Sequence, residues 1–168
     1  MNQEGPRCPL QVTPAMVAGL VEVMTLLKNR ADIATIVREV GMESGLVMEI
    51  LVACEALGLA RIEEGDAVLT EQGISFSRRR FSGKIKMLRE LLKNVEPFKS
   101  ILEYMSRRRE PITIHELCND LKLCGEDPDS ITRVKSFILE WLVPTGYLAY
   151  DGGQEMFKFK RGARLADK

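Results

Sequence analysis

A strand–turn–strand pattern occurs twice in this chain, each time after a stretch of helical periodicity, and it constrains the fold more than any other feature. The first copy runs over residues 57–70 with its turn at 63–66, and the second runs over residues 146–159 with its turn at 151–154. Short apolar strands joined by a turn rich in glycine and acidic residues are typical of β-hairpins. Helices followed by one hairpin are the plan of a winged helix. The sequence therefore predicts two winged helices in tandem.

The stretches before and between the hairpins have apolar residues at helical spacing. Thr13 before Pro14, Asp32, Thr70 and Thr113 stand where helix N-caps are expected. Asp127 followed by Pro128 predicts one more N-cap, and Ser82–Gly83 is the expected break in the helical stretch between the hairpins. We expect a mainly α fold with small β-hairpins, of the α+β class.

The predicted domain organisation has four parts. They are a first winged-helix domain at residues 10–73, a basic helical connector at 74–96, a second winged-helix domain at 97–160 and a basic tail at 161–168. Persistent apolar spacing in the connector favours a helix over a disordered linker.

Charge is distributed unevenly along a chain whose net charge is zero. Residues 1–73 contain 5 Lys or Arg and 11 Asp or Glu, whereas residues 74–110 contain 11 and 4. Residues 111–168 are nearly balanced, with 8 and 9. Such asymmetry bears on binding partners rather than on the fold.

Apolar stretches in the sequence are too short for a membrane span, which takes about 20 residues. Residues 1–9 lack the basic flank and apolar segment of a secretion signal. We therefore expect a soluble, cytoplasmic protein without membrane insertion.

The four cysteines, Cys8, Cys54, Cys118 and Cys124, form no CxxC pair and no spacing typical of a disulfide framework. Reduced thiols are the simplest interpretation. His115 lies near Cys118 and Cys124, but a fourth zinc ligand is missing nearby. Apolar spacing places Cys118 on the buried face of a helix, so we expect no metal site.

Catalytic motifs are absent from the sequence. Gly83–Lys84 lacks the upstream glycine and the following hydroxyl residue of a phosphate-binding loop, because Arg78 and Ile85 stand there. One histidine limits acid–base chemistry. We expect no enzymatic activity and no cofactor.

Basic residues define the candidate contact surface, for DNA or for a protein. The third helix of the first domain carries Glu43, Glu49 and Glu55 and no cation, so it is poorly suited to reading DNA. The candidate contacts are Arg78, Arg79, Arg80, Lys84, Lys86, Arg133, Lys135, Lys158, Lys160 and Arg161. Two arginine triplets, at residues 78–80 and 107–109, can be solvated surface, contact nucleic acid, or pair with acidic surface. We expect the basic connector, with the first triplet, to pack against acidic surface of the same chain or of a twin subunit.

A set of short segments in this order resembles the C-terminal AAA-associated domain family. The resemblance covers residues 12–159, and the segments are 16–23, 32–34, 56–60, 65–70, Gly73, Trp141 and 147–151. It departs from the family at residues 143–146, where the family more often has Gly-Arg. The resemblance implies a domain that is usually appended to the ATP-binding subunit of nitrate-, sulfonate- or taurine-type ABC transporters. The 168 residues carry no ATPase motif, so we expect a free-standing domain.

The sequence as a whole favours a non-enzymatic regulatory or accessory protein that acts by binding a macromolecule. A protein partner is expected, either an ABC-type ATPase or a second copy in a homodimer. The alternative is a DNA-binding transcriptional regulator that uses the second winged helix and the basic connector.

Overall fold

The computed structural model describes residues 5–160 and Gly162, which form helices and two small sheets. The eight helices are α1 (Pro14–Leu26), α2 (Ile33–Val40), α3 (Ser44–Ala56), α4 (Glu71–Arg78), α5 (Phe81–Leu92), α6 (Phe98–Ser106), α7 (Ile114–Leu121) and α8 (Ser130–Trp141). The six strands are β1 (Arg30–Asp32), β2 (Ala60–Glu63), β3 (Asp66–Leu69), β4 (Ile112–Thr113), β5 (Leu148–Asp151) and β6 (Met156–Phe159). The prediction of a mainly α, α+β fold is confirmed.

The same order of elements occurs in both halves of the chain. It is helix, strand, two helices and a hairpin, as α1-β1-α2-α3-β2-β3 and again as α6-β4-α7-α8-β5-β6. Each hairpin forms where the sequence predicts it, with Ala60 opposite Leu69 in the first and Leu148 opposite Phe159 in the second. The chain therefore contains two copies of one order of elements, each with helices before a hairpin.

Each sheet also contains a third strand that the sequence analysis missed. β1 and β4 pair antiparallel with the returning strand of their hairpin, so the strand orders are β1-β3-β2 and β4-β6-β5. They are three and two residues long, too short for the alternation that identifies a strand in sequence.

The predicted N-caps are confirmed at four helices. The side-chain oxygens of Thr13, Asp32 and Thr70 each accept a hydrogen bond from the backbone N–H three residues later, at 3.0–3.1 Å. Thr113 and Glu116 form the full capping box. These bonds satisfy backbone donors that would otherwise lack partners at the first helical turn.

Two predicted boundaries are wrong. α8 begins at Ser130 rather than after Asp127, because the Asp127 carboxylate accepts a bond from the Asp129 N–H and closes a turn there. The helical stretch between the hairpins breaks at Arg79–Arg80 rather than at Ser82–Gly83. Both arginines have extended backbone angles, and Gly83 lies inside α5.

Buried side chains of both halves form one continuous core. The Trp141 indole N–H donates to the Val12 carbonyl at 2.8 Å, and Phe98 stacks on Phe137 with ring centroids 5.0 Å apart. The Cys8 N–H donates to the Glu96 carbonyl at 2.7 Å. The segment before α1 therefore packs onto the second half of the chain.

None of the helices within the described residues has the length and apolar character needed to cross a membrane.

Candidate functional site

The break between α4 and α5 exposes three arginines and redirects the chain. Arg78 ends α4, Arg79 and Arg80 are extended, and all three side chains are exposed. The Lys84 ammonium donates to the Arg79 carbonyl at 2.7 Å, which satisfies an acceptor that the break leaves outside a helix. As a result α5 begins at Phe81, directly after the cations.

An apolar groove of about 630 Å³ lies beside this break, where α1, α4, α5 and the end of α8 meet. We call it the Phe81 groove. Its lining residues are Thr13, Pro14, Ala15, Ala18, Phe76, Phe81, Lys84, Ile85, Leu88, Leu139, Glu140 and Pro144. Phe76 is fully buried beneath it, whereas Phe81 is 79% exposed. A phenyl ring this exposed beside an apolar groove is characteristic of a binding surface.

One cation, Lys84, and one carboxylate, Glu140, are among the residues that line the Phe81 groove. Lys84 lies over the Phe76 ring, with its Nζ atom 5.8 Å from the ring centroid. Within the described residues, Arg78, Arg79 and Arg80 form no ion pair with an acidic side chain of the same chain. The lining of the groove is thus mainly apolar, whereas Arg78 and Arg79 line a separate pocket with Glu71.

Contacts with the second half of the chain hold α5 in place. One guanidinium nitrogen of Arg89 donates to the Thr145 carbonyl at 2.5 Å. Gly146, next in sequence, has a φ of 82°, and a Cβ atom there would lie 3.0 Å from that guanidinium. α5 is thus a packed helix that joins the two halves rather than a loose linker.

The two cations on α8 are engaged by side chains of their own half. Arg133 Nη2 lies 2.9 Å from a carboxylate oxygen of Asp127, and Lys135 Nζ lies 3.8 Å from that of Glu155. Hydrogen bonding to Tyr150 is the main reason that the pKa of Lys135 is raised. A phosphate would have to compete with these neighbours.

The remaining predicted contact residues are dispersed. Lys86 is exposed on α5 but does not line the groove, and Lys158 and Lys160 are exposed on and just after β6. Arg161 and the predicted tail at residues 163–168 lie outside the described residues. Of the predicted contact residues, the structure thus places Lys84 in the Phe81 groove and Arg78 and Arg79 in a neighbouring pocket, and it gathers no larger set of them.

α3 has an outward stripe that is both apolar and acidic. Met48 and Val52 are 38% and 46% exposed, Glu55 follows at helical spacing, and Glu49 lies beside them. We call these four residues the α3 face. The Glu49 carboxylate accepts a hydrogen bond from the Gln11 amide. α3 carries no lysine or arginine, as the sequence indicates.

The cysteines correct the expectation of reduced thiols. Cys118 and Cys124 form a disulfide, with Cα atoms 5.3 Å apart, which also removes both as zinc ligands. Among the described residues no three His, Cys, Asp or Glu side chains cluster as a metal site would require. Cys8 and Cys54 are free and buried, and burial raises the pKa of each thiol to about 12.

Sequence reasoning missed Phe81 as a functional residue, although a signal was present. Phe81, Ile85 and Leu88 lie at i, i+4 and i+7, so the apolar face of α5 extends one turn beyond its buried part. The exposure of that turn depends on where α1 and α8 pack, and helical spacing alone does not contain this information.

Comparison with known proteins identifies a family. The family model of the C-terminal AAA-associated domain matches residues 34–151. No curated protein and no solved structure matches the chain.

Proposed function

The chain belongs to the C-terminal AAA-associated domain family, and on this premise we propose that it is a non-catalytic accessory protein that binds another protein through the Phe81 groove. Its two halves act as tandem winged helices in this proposal, and α5 is the connector that carries the binding surface. The family's link to transport ATPases makes an ABC-type ATPase, bound in trans, the candidate partner.

The observation that carries this proposal is the Phe81 side chain, 79% exposed beside the apolar groove. Full burial of one such side chain contributes about 1.5–3 kcal/mol to binding. Arg78, Arg79 and Arg80 directly precede Phe81 in sequence and are exposed, so they favour encounter with an acidic surface. Apolar anchors with charges at the edge are the usual composition of protein–protein interfaces.

The DNA-binding alternative has less support from the geometry. Helix-turn-helix proteins read bases with one helix in the major groove. α3 would bring Glu49 and Glu55 towards phosphates, and Arg133 and Lys135 on α8 already interact with Asp127 and Glu155. An apolar groove has no counterpart on a phosphate backbone.

The test is binding of a purified ATP-binding subunit of a nitrate-, sulfonate- or taurine-type transporter, measured by biolayer interferometry. Phe81→Ala should weaken binding about tenfold or more, since each 1.4 kcal/mol corresponds to a factor of ten. Leu26→Ala is the matched control, because Leu26 is also 79% exposed and lies outside the groove. Equal affinities of the two variants would contradict the role of the groove.

A parallel measurement addresses DNA. Fluorescence anisotropy should detect no salt-sensitive affinity for mixed duplex DNA when the salt concentration is raised from about 50 to about 200 mM. A DNA affinity that falls steeply with salt, and that loses this dependence when Arg133 and Lys135 are replaced, would instead support the DNA-binding transcriptional regulator.

A further inference from the structure

Ser82 is an exposed serine that directly follows the break between α4 and α5. Arg79 and Arg80 lie three and two residues before it, and all three side chains are exposed. The Ser82 hydroxyl forms no hydrogen bond within the part of the chain that the structure describes. This hydroxyl is therefore accessible to an enzyme that modifies it.

The backbone before Ser82 is extended rather than helical. Arg79 has φ −82° and ψ 152°, and Arg80 has φ −72° and ψ 168°. A protein kinase holds its substrate as an extended segment in a cleft, where carboxylates of the kinase can pair with arginines of the substrate. Only the first turn of α5 has to open for Ser82 to continue this segment, and helix ends open at a low cost in free energy. The break thus presents Ser82 to such a cleft.

Cations are positioned to stabilise a phosphate on Ser82. The Arg79 side chain crosses the first turn of α5, since a Cβ atom at Gly83 would lie 3.2 Å from Arg79 Cβ and 3.7 Å from its Cδ. Lys86 follows Ser82 by four residues, so it lies on the same side of α5. It is exposed and pairs with no acidic side chain among the described residues. A phosphate on Ser82 would have both cations as neighbours.

Ser136 provides a comparison, because its sequence context is similar and its structural setting is different. Arg133 lies three residues before it, but its Nη2 atom is 2.9 Å from a carboxylate oxygen of Asp127. Ser136 is exposed in the middle of α8, where the backbone is helical on both sides of it. The upstream arginine is thus engaged and the segment is not extended. Neither condition applies to Ser82.

We propose that Ser82 is a phosphorylation site for a serine kinase that recognises arginines, and that its phosphate weakens protein binding at the Phe81 groove. The Ser82 Oγ atom attacks the γ-phosphorus of ATP, so that an Oγ–P bond forms and the bond to the β–γ bridging oxygen breaks. ADP leaves, and the hydroxyl proton passes to a base of the kinase. The effect on binding rests on the proposed function of the groove.

The expected effect on binding follows from the position of Ser82 beside Phe81. A phosphate adds a charge of about −1.5 to −2, which offsets part of the positive charge of the arginines at 78–80. A phosphate also loses hydration when Phe81 is buried against a partner, and this loss opposes binding. Both effects weaken association with an acidic surface.

The first experiment identifies the modified residue. The full chain is incubated with Mg²⁺, ATP and the catalytic subunit of cAMP-dependent protein kinase, and tandem mass spectrometry then locates the phosphate on Ser82. A variant with Arg79→Ala and Arg80→Ala should react about tenfold more slowly or less. The matched control, with Arg107→Ala and Arg109→Ala, should react at the wild-type rate. Absence of phosphate from Ser82, or equal rates for the two variants, would overturn the proposal.

Ser136 is the internal control in the same digest. It should remain unmodified while Ser82 reacts, and equal phosphate on both serines would also overturn the proposal. Thermal unfolding then shows whether the modified protein is folded. Its melting temperature should rise by about 2–4 °C, because the phosphate interacts with Lys86 and with the start of α5. A lower melting temperature would attribute weaker binding to unfolding and would refute the regulatory role.

The second experiment measures affinity for the transporter ATP-binding subunit by biolayer interferometry, before and after phosphorylation. The modification should raise the dissociation constant about tenfold or more, whereas Ser82→Ala treated in the same way should keep the unmodified affinity. An unchanged dissociation constant would refute the regulatory role and leave the proposed function intact. An unmodified chain that does not bind the subunit would refute the proposed function and the regulatory role together, and the first experiment decides the modification site in either case.

Discussion

Arg89 and Tyr147 contact each other in two different ways across the junction between the halves of the chain. The Arg89 guanidinium carbon lies 4.2 Å from the centroid of the Tyr147 ring, and the Tyr147 hydroxyl donates to the Arg89 carbonyl at 2.6 Å. Tyr147 is fully buried, directly before β5. The pair thus ties α5, which lines the Phe81 groove, to the start of the second hairpin.

Removal of either side of this pair should destabilise the protein. Tyr147→Phe keeps the ring and loses the hydroxyl bond, which should lower the free energy of unfolding by about 1 kcal/mol. Arg89→Ala loses the ring contact and the hydrogen bond to Thr145, which should lower the free energy of unfolding by about 2 kcal/mol. Urea unfolding followed by Trp141 fluorescence measures both. The control Arg107→Ala removes an exposed arginine and should change stability by about 0.5 kcal/mol or less.

Substitution of glycine by alanine should have opposite effects on stability at Gly73 and at Gly19. A Cβ atom at Gly73 would lie 2.0 Å from the Leu59 carbonyl oxygen, which is backbone and cannot rotate away. Gly73→Ala should therefore cost about 3 kcal/mol or more, by forcing α4 off the first hairpin. Gly19→Ala on α1 meets nothing within 4 Å and should stabilise by about 0.5–1 kcal/mol. Thermal unfolding followed by circular dichroism tests both, and equal melting temperatures would contradict this packing.

Acid should weaken the cap of α2. Hydrogen bonds from the Thr35 hydroxyl and backbone N–H, together with the charge of Arg38, hold the pKa of Asp32 below its usual range. A lowered folded-state pKa means that the stabilisation is complete above the unfolded-state pKa and is lost as pH falls through the folded-state pKa.

Asp32→Asn keeps an N-capping oxygen without a titrating group. Melting temperatures measured from about pH 7 to about pH 3 should thus fall less for this variant than for wild type. Identical pH profiles would show that Asp32 does not contribute.

Thiol counting should separate the two classes of cysteine. Cys8 and Cys54 are buried with raised pKa values, so neither should react with Ellman's reagent in the native protein. Unfolding without a reductant should release these two thiols, and unfolding after reduction and desalting should release four, as Cys118 and Cys124 join them. Four reactive thiols without prior reduction would contradict the disulfide.

Much of the local structure could be predicted because its causes lie within a few residues. Thr13, Thr70 and the Thr113–Glu116 capping box mark helix starts, since an N-cap bond spans only three residues. Both hairpins were located because the turn and its flanking strands are contiguous. The acidic character of α3 and the cations at Arg78–Arg80 were also evident from the sequence.

The positions of the helices and hairpins, and of the charges along the chain, therefore follow from local sequence. Three features do not follow from it: β1 and β4 complete the sheets, Cys118 is bonded to Cys124, and Phe81 is exposed while Phe76 is buried. Each of these depends on the distance between separate segments. That distance is set by the packing of α1, α5 and α8 around one shared core, and residue spacing within any one segment does not contain it.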